Sequence, residues 1–187
     1  MNSQAIVLDG HSLTRRQLVT IACHGAGVVL DTAQLERVRH AADFLAGQVR
    51  RGEPIYGVTT GFGSNADKLL GAHRARDELP GGNPERHDGT LMEELQHNLV
   101  ITHAVCVGEP FPAEVVRAML AIRINTLMRG HSGIRVETLA ALAELLNRDV
   151  IPVIPEKGSV GASGDLAPLS HLAIGRASCR ERVSNCV

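Results

Sequence analysis

Hydrophobic residues recur at intervals of three and four along much of this chain, which is the period of an amphipathic helix. The first clear segment follows Asp31 or Thr32, either of which can cap a helix, and ends before Gly52. Its apolar positions are Leu35, Val38, Ala42, Leu45 and Val49. The pattern therefore predicts one helix from Asp31 or Thr32 to Val49.

Three more helices are predicted, over about 90–108, 112–130 and 136–147. The first opens on a capping box formed by Thr90 and Glu93, and the second opens on Pro112, whose missing N–H costs nothing at a helix start. Gly130 is a typical C-terminal stop. No β-rich stretch is long enough to predict a sheet, so the expected fold class is mainly α.

Three polar or glycine-rich segments interrupt these helices, at 54–66, 74–89 and 150–168. Such loops commonly carry binding and catalytic residues. The middle segment has no apolar periodicity and is predicted to be a mobile surface loop. The other two contain residue types that carry chemistry.

Composition excludes several classes of function. Lys plus Arg number 19 against 20 Asp plus Glu, so there is no excess of positive charge to bind phosphates. There are one Tyr, three Phe and no Trp, so aromatic rings on which bases could stack are also scarce. The composition therefore does not favour binding to nucleic acid. The core must be aliphatic.

Apolar runs are too short for a membrane span, and the start does not resemble a secretory signal, so a cytoplasmic location is expected. Four cysteines without CxxC spacing and nine histidines without HxxxH spacing predict no metal site.

Two short motifs have formal matches to known sites. Residues 61–66 fit the dinucleotide fingerprint GxGxxG/A, but only a short strand at 55–58 could precede them and no second strand follows. Ser163 nearly fits a nucleophile elbow, but Asp165 replaces the final glycine. Glycines serving turns are the simpler interpretation of both. That interpretation does not explain Tyr56, the sole tyrosine, beside the conformationally free Gly57.

The tripeptide Ala162-Ser163-Gly164 permits a reaction of the backbone itself. In a tight bend, the amide nitrogen of Gly164 can attack the carbonyl of Ala162, because small flanking residues allow the approach. Loss of water from the ring and from the Ser163 side chain leaves a methylidene-imidazolone. This group is an electrophile that no unmodified side chain supplies. The simpler alternative is a glycine-rich turn before a helix that starts at Asp165.

Three stretches, YGVTTGFGSNAD, LQHNLVITHAVCVGEP and GSVGASGDLAPLSHLA, occur in this order. Together they closely resemble the aromatic amino-acid ammonia-lyases and aminomutases over about residues 7–173. The resemblance implies an N-terminal helical domain of the histidase-like helical-bundle fold. It also implies that Ala162, Ser163 and Gly164 form 4-methylidene-imidazol-5-one autocatalytically, and that Tyr56 is the acid/base on a mobile inner loop.

In that family, the two residues after the LQ-x-N-L-V-x run contact the substrate's ring, and here they are Thr102 and His103. Histidine ammonia-lyases typically carry Ser-His, tyrosine lyases His-Leu, and phenylalanine lyases an apolar first residue. Thr-His is most similar to the histidine enzymes, which implies conversion of L-histidine to urocanate and ammonia. Threonine in place of serine leaves a tyrosine or phenylalanine lyase or an aminomutase open. His103 could also be a structural core histidine.

The family's chains are much longer, so residues 1–173 are predicted to be the N-terminal part of a truncated lyase domain. Residues 174–187, with three arginines, half the cysteines and no periodicity, are predicted to be a non-native tail. The resemblance implies a homotetramer that acts on a small amino acid, without nucleic-acid or membrane partners, whereas the fragment alone is expected to be inactive. A non-catalytic helical oligomerisation module is the alternative from another class.

Overall fold

The computed structural model describes residues 5–61, 63, 88–161 and 163–174. Four features predicted from the sequence therefore lie wholly or largely outside the described residues. They are the loop at 74–89, the glycine fingerprint beyond Gly63, Ala162, and the tail from residue 175 onwards.

Ten elements follow one another in the described part of the chain. In order they are β1 (Ile6–Leu8), α1 (Arg15–His24), β2 (Val28–Leu30), α2 (Thr32–Arg50), α3 (Asp88–His103), β3 (Val107–Pro110), α4 (Ala113–Leu127), α5 (Val136–Asn147), β4 (Pro155–Lys157) and α6 (166–174). Helices dominate and the strands are short, so the predicted mainly α class is confirmed.

The chain forms two compact units, one made of Met1–Phe44 with His103–Val187 and the other of Leu45–Thr102. The core of the first unit is aliphatic, as predicted, and α1, α4 and α5 supply much of it. Its largest fully buried side chains are Leu8, Ile21, Leu120, Ile124, Met128, Leu139, Leu146, Ile154, Val38 and Val116.

The predicted absence of sheets was wrong, because two small sheets are present. Strands β1 and β2 pair in parallel, with Ile6 opposite Val28, and α1 forms the crossover between them. Strands β3 and β4 pair antiparallel, with Val107 opposite Lys157. Each strand has only three or four residues, too few to display an alternating pattern. Their pairing depends on partners distant in sequence.

Helix α1 was not predicted, because its sequence shows no clear apolar face. In the structure Ile21 is its only fully buried residue. Its start is nevertheless well defined. The Thr14 side chain accepts the Gln17 N–H, and the Gln17 side chain accepts the Thr14 N–H. Gly25 ends the helix in the left-handed conformation, with φ of +65°.

All four predicted helices are present, but α4 ends at Leu127, before the predicted Gly130, and both ends of α3 differ from the prediction. Helix α3 begins at Asp88, so Thr90 lies inside its first turn and does not precede the helix. It ends at His103, so the predicted continuation towards Gly108 was wrong, and that glycine belongs to β3. Gly108 has a φ of +95°. A helix does not contain such an angle, whereas glycine can adopt it at a bend in a short strand.

Arg117 joins three helices of the first unit. Its side chain is 7% exposed, and its Nε donates to the Ile21 carbonyl oxygen at 3.0 Å. Its Nη1 donates to the Leu146 carbonyl oxygen at 3.4 Å and to the Asp149 carboxylate. The guanidinium of α4 therefore satisfies carbonyl groups near the ends of α1 and α5, which lack intrahelical partners.

Replacing Arg117 with methionine is expected to lower the free energy of unfolding by about 1 to 3 kcal/mol, because the Ile21 carbonyl oxygen loses its donor, whereas the Leu146 oxygen keeps the Asp149 N–H. Arg148→Met is the matched control, since Arg148 is half exposed and pairs only with Glu144 on the surface. It should cost less than about 1 kcal/mol. Urea unfolding of the chain, monitored by circular dichroism, measures the free energy of unfolding of both variants. Equal losses in the two variants would contradict the stabilising role of Arg117.

Candidate functional site

The segment from Gly158 to Asp165 connects β4 to α6 and starts on a close backbone contact. A Cβ atom added to Gly158 would lie 2.5 Å from the Cys106 sulfur and 2.8 Å from the Cys106 Cα, so only glycine fits. The Cys106 N–H in turn donates to Nε2 of His171 on α6, at 3.0 Å. Gly158 therefore packs against Cys106, the residue before β3, and Cys106 is itself hydrogen-bonded to the helix that follows the segment.

Further along, the segment bends through two glycines with positive φ, Gly161 at +89° and Gly164 at +72°. L-residues with side chains rarely adopt these angles. The Ser159 hydroxyl donates to the Gly164 carbonyl oxygen at 2.7 Å, and a Cβ at Gly164 would lie 2.6 Å from the same hydroxyl oxygen. Glycine is thus favoured at 164 by its conformation, and a side chain there would also displace the Ser159 hydroxyl.

Ser163 lies between these glycines, and its hydroxyl donates to the Asp165 carboxylate. The Asp165 carbonyl oxygen accepts the Leu169 N–H at 3.0 Å, so Asp165 also starts α6, as the sequence predicted. Both Ser163 and Asp165 are exposed. The segment therefore presents the serine hydroxyl to solvent with its proton held by a carboxylate. Ala162, the third predicted member, lies outside the described residues.

Tyr56 belongs to a series of turns in the other compact unit, where the sequence had allowed a short strand at 55–58. The strand prediction was wrong because the Ile55 carbonyl accepts N–H groups from 58, 59 and 60, which curls the chain. The phenol is 66% exposed, and its oxygen accepts the Gly63 N–H at 3.1 Å. Gly57 has a φ of +69°, the left-handed conformation that glycine favours.

Two buried threonines hold these turns. The Thr59 hydroxyl accepts the Ile55 N–H at 2.7 Å and donates to the Glu53 carbonyl oxygen. The Thr60 hydroxyl lies 2.9 Å from the Gly61 carbonyl oxygen. Their side chains replace backbone partners that a sheet would have supplied. The turns therefore carry Tyr56 on a locally hydrogen-bonded frame.

Thr102 and His103 lie at the C-terminal end of α3. The Thr102 hydroxyl donates to the Asn98 carbonyl oxygen at 2.7 Å and lies 3.3 Å from that of Leu99. The His103 side chain is half-buried, and its carbonyl oxygen accepts the Val105 N–H at 2.9 Å. Both residues thus stand where the helix ends and the chain turns towards β3.

The predicted site residues divide between the two units. Ser163 and Gly164 are brought together with Asp165 in one unit, which also contains His103, whereas Tyr56 and Thr102 belong to the other. Ser159 and His171 were missed as contributors to the site. Ser159 had a sequence signal, because it lies inside the same glycine-rich run, but His171 had none, because its partner is distant in sequence.

The described residues contain neither a cluster of metal-binding side chains nor a helix that could span a membrane. Within 5–61, 63, 88–161 and 163–174, no three His, Cys, Asp or Glu side chains cluster closely enough to hold a metal ion. Over the same residues, every helix is too short or too polar to cross a bilayer.

Comparison with known proteins places this geometry in a family. Residues 13–181 match the sequence model of a family described as aromatic amino acid lyase. The histidine ammonia-lyase of Symbiobacterium thermophilum is 44% identical over 182 residues, which are 97% of this chain and 32% of that protein. The chain therefore spans about a third of the length of this curated relative.

Solved structures of related enzymes have the same fold over most of the chain. The tyrosine aminomutase of Streptomyces globisporus is 34% identical with a TM-score of 0.75, covering 90% of this chain and 28% of that one. A histidine ammonia-lyase from Trypanosoma cruzi is 35% identical with a TM-score of 0.71, covering 91% and 29%. Because the family match includes both the Tyr56 turns and the segment around Ser163, the chain belongs to the aromatic amino acid lyase family.

Proposed function

We propose that the complete protein containing this chain eliminates ammonia from L-histidine to give urocanate. The observation that carries the proposal is the bent, glycine-dependent segment around Ser163 in a chain of this family. The choice of histidine is supported by the 44% identity to a histidine ammonia-lyase and by His103. Residues 1–173 are proposed to be the N-terminal part of the lyase domain and 174–187 a non-native tail, although the family match continues to residue 181.

Ala162, Ser163 and Gly164 are proposed to form 4-methylidene-imidazol-5-one. The described residues fit this group, because ring closure needs a sharp bend with a small attacking residue, and Gly164 has a positive φ that residues with side chains rarely adopt. The Asp165 carboxylate holds the hydroxyl that must leave from Ser163. When formed, the group supplies a strong electrophile beside the substrate. No metal is needed in this proposal.

Tyr56 is proposed to move the proton in the elimination. A base must remove a β-proton of the substrate, and the acidity of this proton is too low for an ordinary carboxylate to remove it. The phenol oxygen accepts the Gly63 N–H at 3.1 Å, which orients the hydroxyl. The threonine-held turns give this oxygen a defined position, while its exposure leaves it accessible to a substrate.

His103 is proposed to contact the substrate's side chain, and its replacement should change the substrate ranking. In the complete protein, His103→Leu is expected to lower kcat/KM for L-histidine by about tenfold to a hundredfold, since a leucine cannot hydrogen-bond an imidazole. Turnover of L-tyrosine or L-phenylalanine should fall less or rise. The measurement is kcat/KM for all three amino acids.

His97→Leu is the matched control for this variant. It makes the same substitution on the same helix, at an exposed position. The control should leave the ranking unchanged. Equal proportional losses on all three substrates in His103→Leu, with a lower melting temperature, would mean that His103 is structural.

The reaction itself is tested by incubating the complete protein with each amino acid and measuring both ammonia and organic product. Urocanate with one equivalent of ammonia is the expected result from L-histidine. A β-amino acid without net ammonia would indicate an aminomutase, the alternative that threonine at 102 leaves open. No reaction with any substrate would favour a helical oligomerisation module.

The assembly and location of the complete protein are part of the same proposal. By resemblance to the family, we propose a cytoplasmic homotetramer whose partner is a small amino acid. Light scattering of the complete protein tests the tetramer.

A further inference from the structure

Ser159 makes an unusual hydrogen bond across the segment that contains the reactive serine. Its hydroxyl donates to the Gly164 carbonyl oxygen at 2.7 Å, joining residues five positions apart. Ser159 precedes the bend and is not the cap of α6, which begins after Asp165. The hydrogen bond therefore joins Ser159 to Gly164 across the bend.

The N-terminal end of this segment is fixed to the rest of the unit. Gly158 lies against Cys106 so closely that an added Cβ would meet its sulfur at 2.5 Å. Cys106, which is buried, is in turn held by the hydrogen bond from its N–H to His171. With Gly158 fixed, the Ser159 hydroxyl can hold Gly164 against a stationary support.

The proposed maturation requires such a bend. The Gly164 amide nitrogen must form a bond to the Ala162 carbonyl carbon, and the nitrogen's proton passes to the carbonyl oxygen. That oxygen leaves as water with the Ser163 N–H proton, which creates a C=N bond. Ser163 then loses its Cα proton and its hydroxyl as a second water, and a Cα=Cβ double bond forms. The first step is a condensation and the second an elimination of water, so no oxidant or reductant is consumed.

An extended backbone keeps the reacting nitrogen and carbon apart, so a constraint that favours the bent conformation raises the rate of ring closure. Resting on the proposed function, we propose that Ser159 is a positioning residue for this maturation. Its hydroxyl holds Gly164 in the bent conformation, and the contact of Gly158 with Cys106 supplies the fixed end. Ser159 needs no contact with the substrate for this role.

The test compares Ser159→Ala with Ser159→Thr in the complete protein. Newly translated protein is sampled over time, and intact mass gives the fraction that has lost two waters. Loss of one hydrogen bond is expected to slow maturation about fivefold to tenfold in Ser159→Ala. Ser159→Thr keeps the hydroxyl on an exposed residue, so it should mature at nearly the normal rate.

Ser170→Ala is the matched control. The Ser170 hydroxyl also donates to a backbone carbonyl, that of Leu166 at 2.8 Å, but within α6 and outside the segment. It should leave the maturation rate unchanged. Melting temperatures of all variants, measured in parallel, separate slow maturation from general loss of stability.

The outcomes distinguish the two proposals. If the unsubstituted protein keeps its encoded mass, the proposed function fails. If it matures and Ser159→Ala matures as fast as Ser170→Ala, the role of Ser159 is overturned while the function stands. Equal slowing in Ser159→Ala and Ser159→Thr would also overturn it, because the hydroxyl would not be the cause.

Discussion

Replacing Ser163 with alanine in the complete protein is expected to lower kcat about a thousandfold or more, because the covalent electrophile cannot form without the serine hydroxyl. The hydroxyl is the leaving group that creates the exocyclic double bond. Ring closure between Gly164 and Ala162 could still occur, so the variant should lose at most one water. Ammonia release and intact mass, measured on the same sample, check both expectations.

The control for Ser163→Ala is again Ser170→Ala, which removes a hydroxyl that α6 uses only internally. Ser163 is exposed and its hydroxyl bonds only to Asp165 among the described residues, so its removal should change the melting temperature little. A Ser163→Ala protein with unsubstituted turnover would refute the role of this serine.

The second large effect is expected for Tyr56→Phe, which keeps the ring and removes only the hydroxyl. Without its proton-transfer group, the complete protein should lose about a hundredfold to ten-thousandfold in kcat. The loss of two waters during maturation should be unchanged, because Tyr56 has no part in the backbone reaction. Turnover and intact mass together therefore separate the role of Tyr56 from that of Ser163.

A structural explanation for such a loss can be measured directly. The Tyr56 hydroxyl accepts one hydrogen bond, from the Gly63 N–H, on an exposed loop. Removing it should cost no more than about 1 kcal/mol of stability. If Tyr56→Phe retains turnover within a few-fold of normal, the acid/base assignment is wrong. If it loses turnover only in proportion to its folded fraction, the hydroxyl is structural.

The helices that could be predicted are those with dense aliphatic periodicity and clear ends. Helix α5 is predicted at its observed bounds because four leucines recur on one face, at 139, 142, 145 and 146, and all are buried. Helix α4 begins one residue after the predicted Pro112, which serves as its N-cap. Helix α1 escaped prediction because only Ile21 marks its buried face, although its capping box was present in the sequence.

The strands escaped prediction because distant residues stabilise them. Strand β2 is held at Val28 by the Asn147 side chain, which accepts the Val28 N–H at 2.7 Å and donates to the Val28 carbonyl oxygen at 3.0 Å. Asn147 lies at the end of α5, 119 positions along the chain. No local pattern encodes such a contact.

The same distinction applies to the candidate site. Ser163 and Gly164 were identified because their chemistry depends on adjacent residues, which a sequence displays directly. The contacts that hold this segment in place were not identified. The contact of Gly158 with Cys106 and the hydrogen bond from Cys106 to His171 join elements that are far apart in the sequence. Residue types thus point to the reaction, while only the fold reveals what bends the backbone for it.

The most direct test of the proposed electrophile is the intact mass of the complete, unsubstituted protein. We expect a mass two waters below the encoded one, with the loss located by peptide mapping to Ala162, Ser163 and Gly164. The loss should be absent from every other peptide. A mass equal to the encoded sequence, in a folded protein, would contradict the proposed electrophile and with it the ammonia-lyase mechanism.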